Sequence, residues 1–424
     1  MRFRPTSLAL AAGLSLTLSA CSNPSGPSVG DPITELPRSL TLVEQEIIAS
    51  SNGFGLELFR RVVADDGREN VVLSPLSASM ALGMTLNGAR GGTFDAMRGT
   101  LGFGDLSQDE VNTAYRELIG LLTGLDPAVR FDIANAIWAN EEIAFRDAFF
   151  ETVREAFDAE AASRDFADGA TLEEINAWVD EKTEGFIDSI LDELDPELAM
   201  LLVNAIYFDG AWTTEFDPDD TAPGPFTRAD GSTVTVEMMK LTDAEISLGG
   251  GEGYEAAELP YGGGAFAMTL VVPHGDARAF VDGLDEARWS SIVGSLGEAR
   301  DIDLLSMPKL ALAYDVWLND ALRAMGMEVA FTPQADFSAM SETANLCIDF
   351  VRQKTMLEVD EVGTRAAAVT AVGVGPTSFN GLVVDRPYIL AIRERLSGTV
   401  LFMGLIGDPT VEDSGEPAAQ EGCM

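Results

Sequence analysis

Hydrolytic chemistry needs a nucleophile, a base and a group that orients the base, and this sequence offers one histidine for the purpose, His274. It sits in Val272-Pro273-His274-Gly275-Asp276, which reads as an exposed turn, and no serine lies in a Gly-x-Ser-x-Gly elbow. The 69 acidic residues include no pair whose spacing singles it out for general acid–base work. Three cysteines occur: Cys21, Cys347 in an apolar strand-like run, and Cys423 in a polar tail. With no closely spaced cysteine pair and one histidine, zinc is implausible. No disulfide framework is indicated, and pairing of Cys347 with Cys423 is left open. Gly249-Gly250-Gly251 and Gly262-Gly263-Gly264 lack the Gly-Lys-Ser/Thr ending of a phosphate loop and read as loops. The chain is not expected to be an enzyme, and no cofactor or metal is implied.

The most unusual chemistry lies in the backbone of residues 361–371, Glu-Val-Gly-Thr-Arg-Ala-Ala-Ala-Val-Thr-Ala. As a strand it puts Thr364, Ala366, Ala368 and Thr370 on one face, all small and uncharged, with Arg365 and Val369 on the other. Such a face could enter a crowded sheet. Runs of Ala and Gly are nevertheless weak strand formers, and Gly373-Val374-Gly375-Pro376-Thr377-Ser378 reads as exposed loop. The segment suits both a loop and a buried strand; a linker or a helix is the plainer reading of its alanines.

Other elements can be read from local patterns along the chain. Thr41 with Glu44 forms a capping-box start for a helix carrying Val43, Ile47 and Ile48, and the pattern continues through Leu56–Val63. Ser74 is a good N-cap and Pro75 suits the first position of a helix that reaches Leu86. Phe131–Trp138 reads as a buried strand. Thr171 with Glu174 is expected to cap a helix with Ile175, Trp178, Val179 and Phe186 at core spacing. The apolar run Leu201–Phe208 reads as a central strand covered on both faces.

Composition bounds the partners. At 424 residues, 46% of them hydrophobic, the chain can bury a large core. Its formal charge is −42, with Lys182, Lys240, Lys309 and Lys354 the only lysines, so no basic patch awaits nucleic acid or another polyanion. Arg2 and Arg4 precede an apolar run from Leu8 to Leu18, too short for a mature membrane span. The run ends in Leu18-Ser19-Ala20-Cys21, which resembles the lipobox of bacterial lipoproteins and implies lipidation of Cys21; Ser22 behind it implies outer-membrane sorting. An ordinary secretory cleavage site is the alternative. Residues 22–37 then read as a flexible tether.

Several of these segments resemble the serpin family. Glu361, Gly363, Thr364, Ala366, Ala367 and Ala368 fit the hinge of its reactive-centre loop. Asn70 through Ser77 fits its Asn-x-x-x-Ser-Pro-x-Ser motif, followed by Gly88, Ala89, Gly91 and Thr93. Ile175-Asn176, Trp178-Val179, Thr183 and Gly185 are similar to the helix that crosses its main sheet. The likeness also covers Leu201–Phe208, Trp212, Phe216, Glu258–Tyr261, Met307–Lys309, Ala335–Ser338, Asp385–Tyr388 and Leu401–Gly404. It runs in order from about residue 41 to Pro409, and no internal repeat is found.

The resemblance implies an α+β fold with a large, mainly antiparallel central sheet, further sheets, eight or nine helices and an exposed loop at about residues 361–382. One domain is expected over residues 38–409, after a signal peptide (1–20) and a lipidated tether (21–37). A disordered acidic tail is expected over residues 410–424. The family's shutter would contain Ser74, Ser77, Asn204 and Gln353, and its breach Trp212. The implied function is inhibition of serine proteases, with cysteine proteases as a second target class. The inhibitor is a monomer acting as a suicide substrate. Counting along the loop places the cut between Thr377 and Ser378, which suits a protease with a shallow primary pocket. Two departures stand out: Gln353 occupies a shutter position where many members carry histidine, and the loop is about one residue short. The alternative is a non-inhibitory serpin-fold binding protein at the cell surface, although such members tend to carry bulky or charged residues on the inserting face.

Overall fold

The computed structural model describes residues 32–363, 380–413, 415 and 423. In chain order it begins with α1 (Leu42–Asp65), β1 (Asn70–Leu73), α2 (Pro75–Leu86), α3 (Gly91–Thr100) and α4 (Gln108–Leu122). There follow β2 (Val129–Asn140), α5 (Asp147–Phe157), β3 (Glu160–Arg164), α6 (Gly169–Lys182) and β4 (Met200–Gly210). Strands β5 (Ala222–Thr227), β6 (Thr233–Leu241), β7 (Ala244–Gly251), β8 (Tyr254–Tyr261) and β9 (Phe266–Pro273) come next. Then come α7 (Ala277–Asp282), α8 (Glu286–Ser295), β10 (Arg300–Ile302), β11 (Leu304–Pro308), β12 (Leu310–Trp317) and α9 (Asn319–Leu322). The described chain closes with β13 (Arg352–Val359), β14 (Gly381–Val383), β15 (Tyr388–Glu394) and β16 (Val400–Ile406).

Local chemistry explains the helix starts. At α1 the Thr41 hydroxyl accepts the Glu44 amide at 3.2 Å while the Glu44 carboxylate accepts the Thr41 amide at 2.7 Å, the expected reciprocal cap. Helix α2 begins at Pro75 behind the Ser74 cap, also as expected. It lies so close to α1 that a Cβ on Gly55 would come within 2.3 Å of the Pro75 Cβ, so only glycine fits there. Helix α6 differs from expectation. Its N-cap is Asp168, whose carboxylate accepts the Ala170 amide at 3.0 Å, while the Thr171 hydroxyl donates to Asp165 O. Phe186 lies beyond the helix end and meets Tyr207 edge-on.

The largest sheet is antiparallel, with seven strands in the order β1-β16-β15-β9-β8-β7-β10. Its middle strands β9, β15 and β16 are buried along their whole length, so it forms the centre of the core. The first strand among the described residues pairs there with the last, Asn70 opposite Ile406. Gly249–Gly251, expected in a loop, instead finish β7 opposite Tyr254–Ala256. A four-stranded sheet has the order β14-β11-β6-β5.

The remaining five strands form two separate pieces, β3-β2-β4 and β12-β13. Leu201–Phe208 therefore belongs to an edge strand, not to a paired central one: β4 bonds β2 on one side. Its other side faces β13, and no ladder joins the two among the described residues. At the N-terminal end of the described chain, the Ile33 amide donates to Gly263 O at 2.8 Å.

Candidate functional site: a gap between two strand edges

The site is the space between β4 and β13. Its lower half is a cavity of about 90 Å³, with Met200–Asn204 on one wall and Phe350–Lys354 on the other. Ser77, Ala78, Ala81, Leu82 and Thr85 of α2 form its floor. A smaller cavity of about 20 Å³ continues upward past Ile206–Phe208 and Thr355–Leu357. Helix α6 covers the other face: Ile175, Trp178 and Val179 pack with Trp138, Leu201 and Val203, and Met356 of β13 joins that cluster from across the gap. Lys354 Nζ also reaches over, donating to Ser189 O at 2.9 Å. A strand needs its neighbours about 4.8 Å away on either side, so admitting one requires the walls to part.

At its upper end the gap is closed. Gly363 forms an antiparallel bridge with Ala211, the residue after β4, and the Trp212 amide donates to Val362 O at 2.8 Å. A Cβ on Gly363 would sit 2.1 Å from Gly210 O, so glycine is required for this approach. Trp212 is buried, stacks on Tyr261 with ring centres 4.4 Å apart, and donates its Nε1–H to Asp360 O at 2.8 Å. Two buried carboxylates precede the bridge. Burial raises Asp360 above the ordinary aspartate value, against amide hydrogen bonds from Gly363 and Val362. For Glu361 burial acts in the same direction but is outweighed. Lys309 Nζ and the Thr221 hydroxyl, each at 2.7 Å, hold its carboxyl below the ordinary range.

Lower down, Gln353 grips Ser74 twice: its Oε1 accepts the Ser74 amide at 2.9 Å and its Nε2 donates to Ser74 O at 3.0 Å. The Ser74 hydroxyl donates to Leu401 O at 2.8 Å and accepts the Ser77 amide at 3.4 Å. Ser74, Ser77 and Gln353 thus meet on the β13 side. Asn204 stands on the opposite wall and bonds Asn135, whose Nδ2 donates to Phe157 O at 2.7 Å. The Asn204 Oδ1 is buried with no hydrogen-bond partner, an arrangement that costs about 1–3 kcal/mol.

Of the hinge, Glu361 and Gly363 lie in this site; Thr364, Ala366, Ala367 and Ala368 lie outside the described residues, as do Thr377, Ser378 and Cys21. The sequence reading missed the roles of Asn135, Thr221, Lys309 and Asp360. Only the adjacency of Asp360 to Glu361 offered a signal. Cys347, expected in a strand, lies in a stretch without regular structure, and it is disulfide-bonded to Cys423.

Residues 49–409 match the family model described as Serpin (serine protease inhibitor). The chain is a serpin. Iripin-5 of Ixodes ricinus is 33% identical over 375 residues, covering 86% of this chain and 95% of the relative. Serpin A3-3 of Bos taurus is 31% identical, covering 87% and 90%. Among solved structures, the thermophilic serpin Tengpin in its native state aligns with a TM-score of 0.77 at 30% identity, covering 89% of this chain and 97% of Tengpin. Thyroxine-binding globulin in complex with thyroxine aligns with a TM-score of 0.77 at 27% identity, over 86% of this serpin and 99% of the globulin. The family gives the general role of protease inhibition and an α+β fold.

Proposed function

We propose that this serpin is a suicide-substrate inhibitor of serine proteases. The observation that carries the reading is the pair of unpaired edges, β4 and β13, facing each other beneath Gly363, where the loop begins. The protease serine attacks the carbonyl of Thr377, the Ser378 amine leaves, and an acyl-enzyme forms. Residues from Thr364 onward then enter the gap small face inward, carrying the bound protease with them before water can release it. Each backbone hydrogen bond formed contributes about 0.5–1.5 kcal/mol net, over roughly a dozen residues. The buried, unpartnered Asn204 Oδ1 supports the reading, because an entering strand brings donors to it.

Incubation with a panel of serine and cysteine proteases should give complexes that survive SDS, formed with enzymes that accept a small residue before the cut. Proteases that only cleave the chain, or ignore it, would count against the mechanism. Mass spectrometry of the reduced C-terminal fragment should find Ser378 at its start, and a start several residues away would remove that assignment.

The same proposal includes export and a lipid on Cys21, supported by the Leu18-Ser19-Ala20-Cys21 pattern, with the protein monomeric at the cell envelope. A non-inhibitory binding role is the second reading, supported by the structural likeness to thyroxine-binding globulin.

A further inference from the structure

Several described residues after β16 are held to the rest of the fold. The Gly407 and Asp408 amides donate to Asn70 Oδ1 at 3.0 Å, and Arg228 holds the Asp408 carboxylate at 2.5 Å. Beyond them, Glu412 O accepts the Ala313 amide at 2.7 Å and Asp413 bridges Ala313 in parallel, on the edge of β12 that β13 leaves free. Cys423 then reaches Cys347, with 6.1 Å between the Cα atoms, and its amide bonds the Asp349 carboxylate. The Cys347 segment has anchors of its own: the Ile348 amide on Ala330 O, and Asn319 bonded to Asp349 O and the Val351 amide.

The position of this bond in the chain matters more than its surroundings. A sequence separation of 76 closes a covalent ring that contains β13, residues 364–379, β14, β15 and β16. Any cut within residues 364–379 opens the ring without dividing the molecule. We propose that the Cys347–Cys423 disulfide keeps the C-terminal part of the chain covalently attached after the loop is cut, and that once it is reduced the two pieces separate when the cut protein unfolds. For a cut before Ser378 the retained piece is the 47 residues to Met424. Reduction consumes one dithiol reductant, which is oxidised to its disulfide while the two cysteines take up two electrons and two protons as thiols. Both cysteines are partly exposed, within reach of a small dithiol.

Strands β15 and β16 are buried mid-sheet, so in the folded cut protein both pieces stay together with or without the bond. The difference appears on unfolding. Two unlinked pieces separate, and their melting temperature rises with protein concentration. Two linked pieces unfold as one molecule with a concentration-independent melting temperature, because the tether keeps the effective concentration high.

The test rests on cleavage within the loop but not on inhibition. The full chain is nicked with a metalloprotease, which forms no acyl-enzyme, and the cut is mapped to 364–379. Without reductant, a denaturing gel should show one band of intact mass, and with dithiothreitol a body and a small peptide. The nicked Cys423→Ser protein should give both pieces in either lane, with a melting temperature that shifts with concentration while the nicked wild type's does not. If that variant does not fold, the two wild-type lanes decide alone. Separation of the nicked wild type without reductant would overturn the proposal. Failure of inhibition alone, read from the SDS-resistant complexes, would leave this result standing.

Discussion

At the scale of single residues, the control point is the one where Glu361 is pinned. Its carboxylate is buried and its cation, Lys309, is 23% exposed. Removing one partner of a buried pair leaves the other uncompensated, and for Lys309→Met the partial exposure points to the lower end of that loss, about 3 kcal/mol at pH 7. The sign with pH follows from the shifts. In the wild type Glu361 titrates below its ordinary value, so its stabilisation is present at neutral pH and lost as pH falls through that depressed value. In the mutant burial is opposed by the Thr221 hydroxyl without the lysine, and the carboxyl titrates higher than in the wild type. The deficit relative to wild type should therefore be greatest at neutral pH and shrink on acidification, as denaturant titrations at pH 7 and pH 5 would show. An equal deficit at both would rule out this role for the pair.

Thr364 is the next residue to test. On the proposed mechanism it passes from water into the sheet, and Thr364→Arg places a guanidinium there without a partner, at a penalty of several kcal/mol. Insertion slows more than cleavage. The variant should be cut at the same bond, release active protease, and consume many molecules per protease inactivated. Arg365→Ala, on the other face, should inhibit nearly as well as wild type. Undiminished inhibition by Thr364→Arg would refute hinge insertion.

At the scale of elements, the gap between β4 and β13 predicts an unusual response to nicking. An ordinary nicked loop leaves stability unchanged or lowered. Here a cut near Thr377 frees a strand for two unpaired edges, and the melting temperature should rise sharply. Equal values for cut and uncut protein would favour the non-inhibitory reading. Much of this scale was legible in the sequence, because capping boxes, Pro at a first helical turn and apolar runs are local signals: α1, α2, β2 and β4 lie where they were expected. What failed was choice among neighbours and contacts at a distance. Asp168 and Thr171 are both good caps three residues apart, and the helix starts at the earlier one. Gly249–Gly251 form strand because β8 pairs with them. Lys309 and Thr221 meet Glu361 from 52 and 140 residues away, and Asn135 meets Asn204 from 69, separations that no local pattern encodes.

At the scale of the whole molecule, the first described residues lie close to the start of the hinge. The Ile33 amide bonds Gly263 O, and the neighbouring Gly262 amide bonds Ala211 O, the residue bridged to Gly363. Twelve residues separate Cys21 from Ile33, a reach of at most roughly 40 Å. A lipid on Cys21 would hold the loop-bearing end toward the envelope. Wild-type protein should then fractionate with membranes and the Cys21→Ser protein should not. Membrane retention of the processed variant would contradict the anchor.

The pairing of β1 with β16 has a consequence for synthesis. Strand β1 emerges from the ribosome early, yet its partner begins at Val400, and β15, the next strand in, begins at Tyr388. The largest sheet is closed by strands more than 300 residues after its first, and the chain between must wait unfolded, or folded in part, until they arrive. Contacts of such long sequence separation also form slowly once they are available. A ribosome that stops before residue 400 delivers a chain whose core lacks its middle, and such products are material for degradation, not shorter inhibitors.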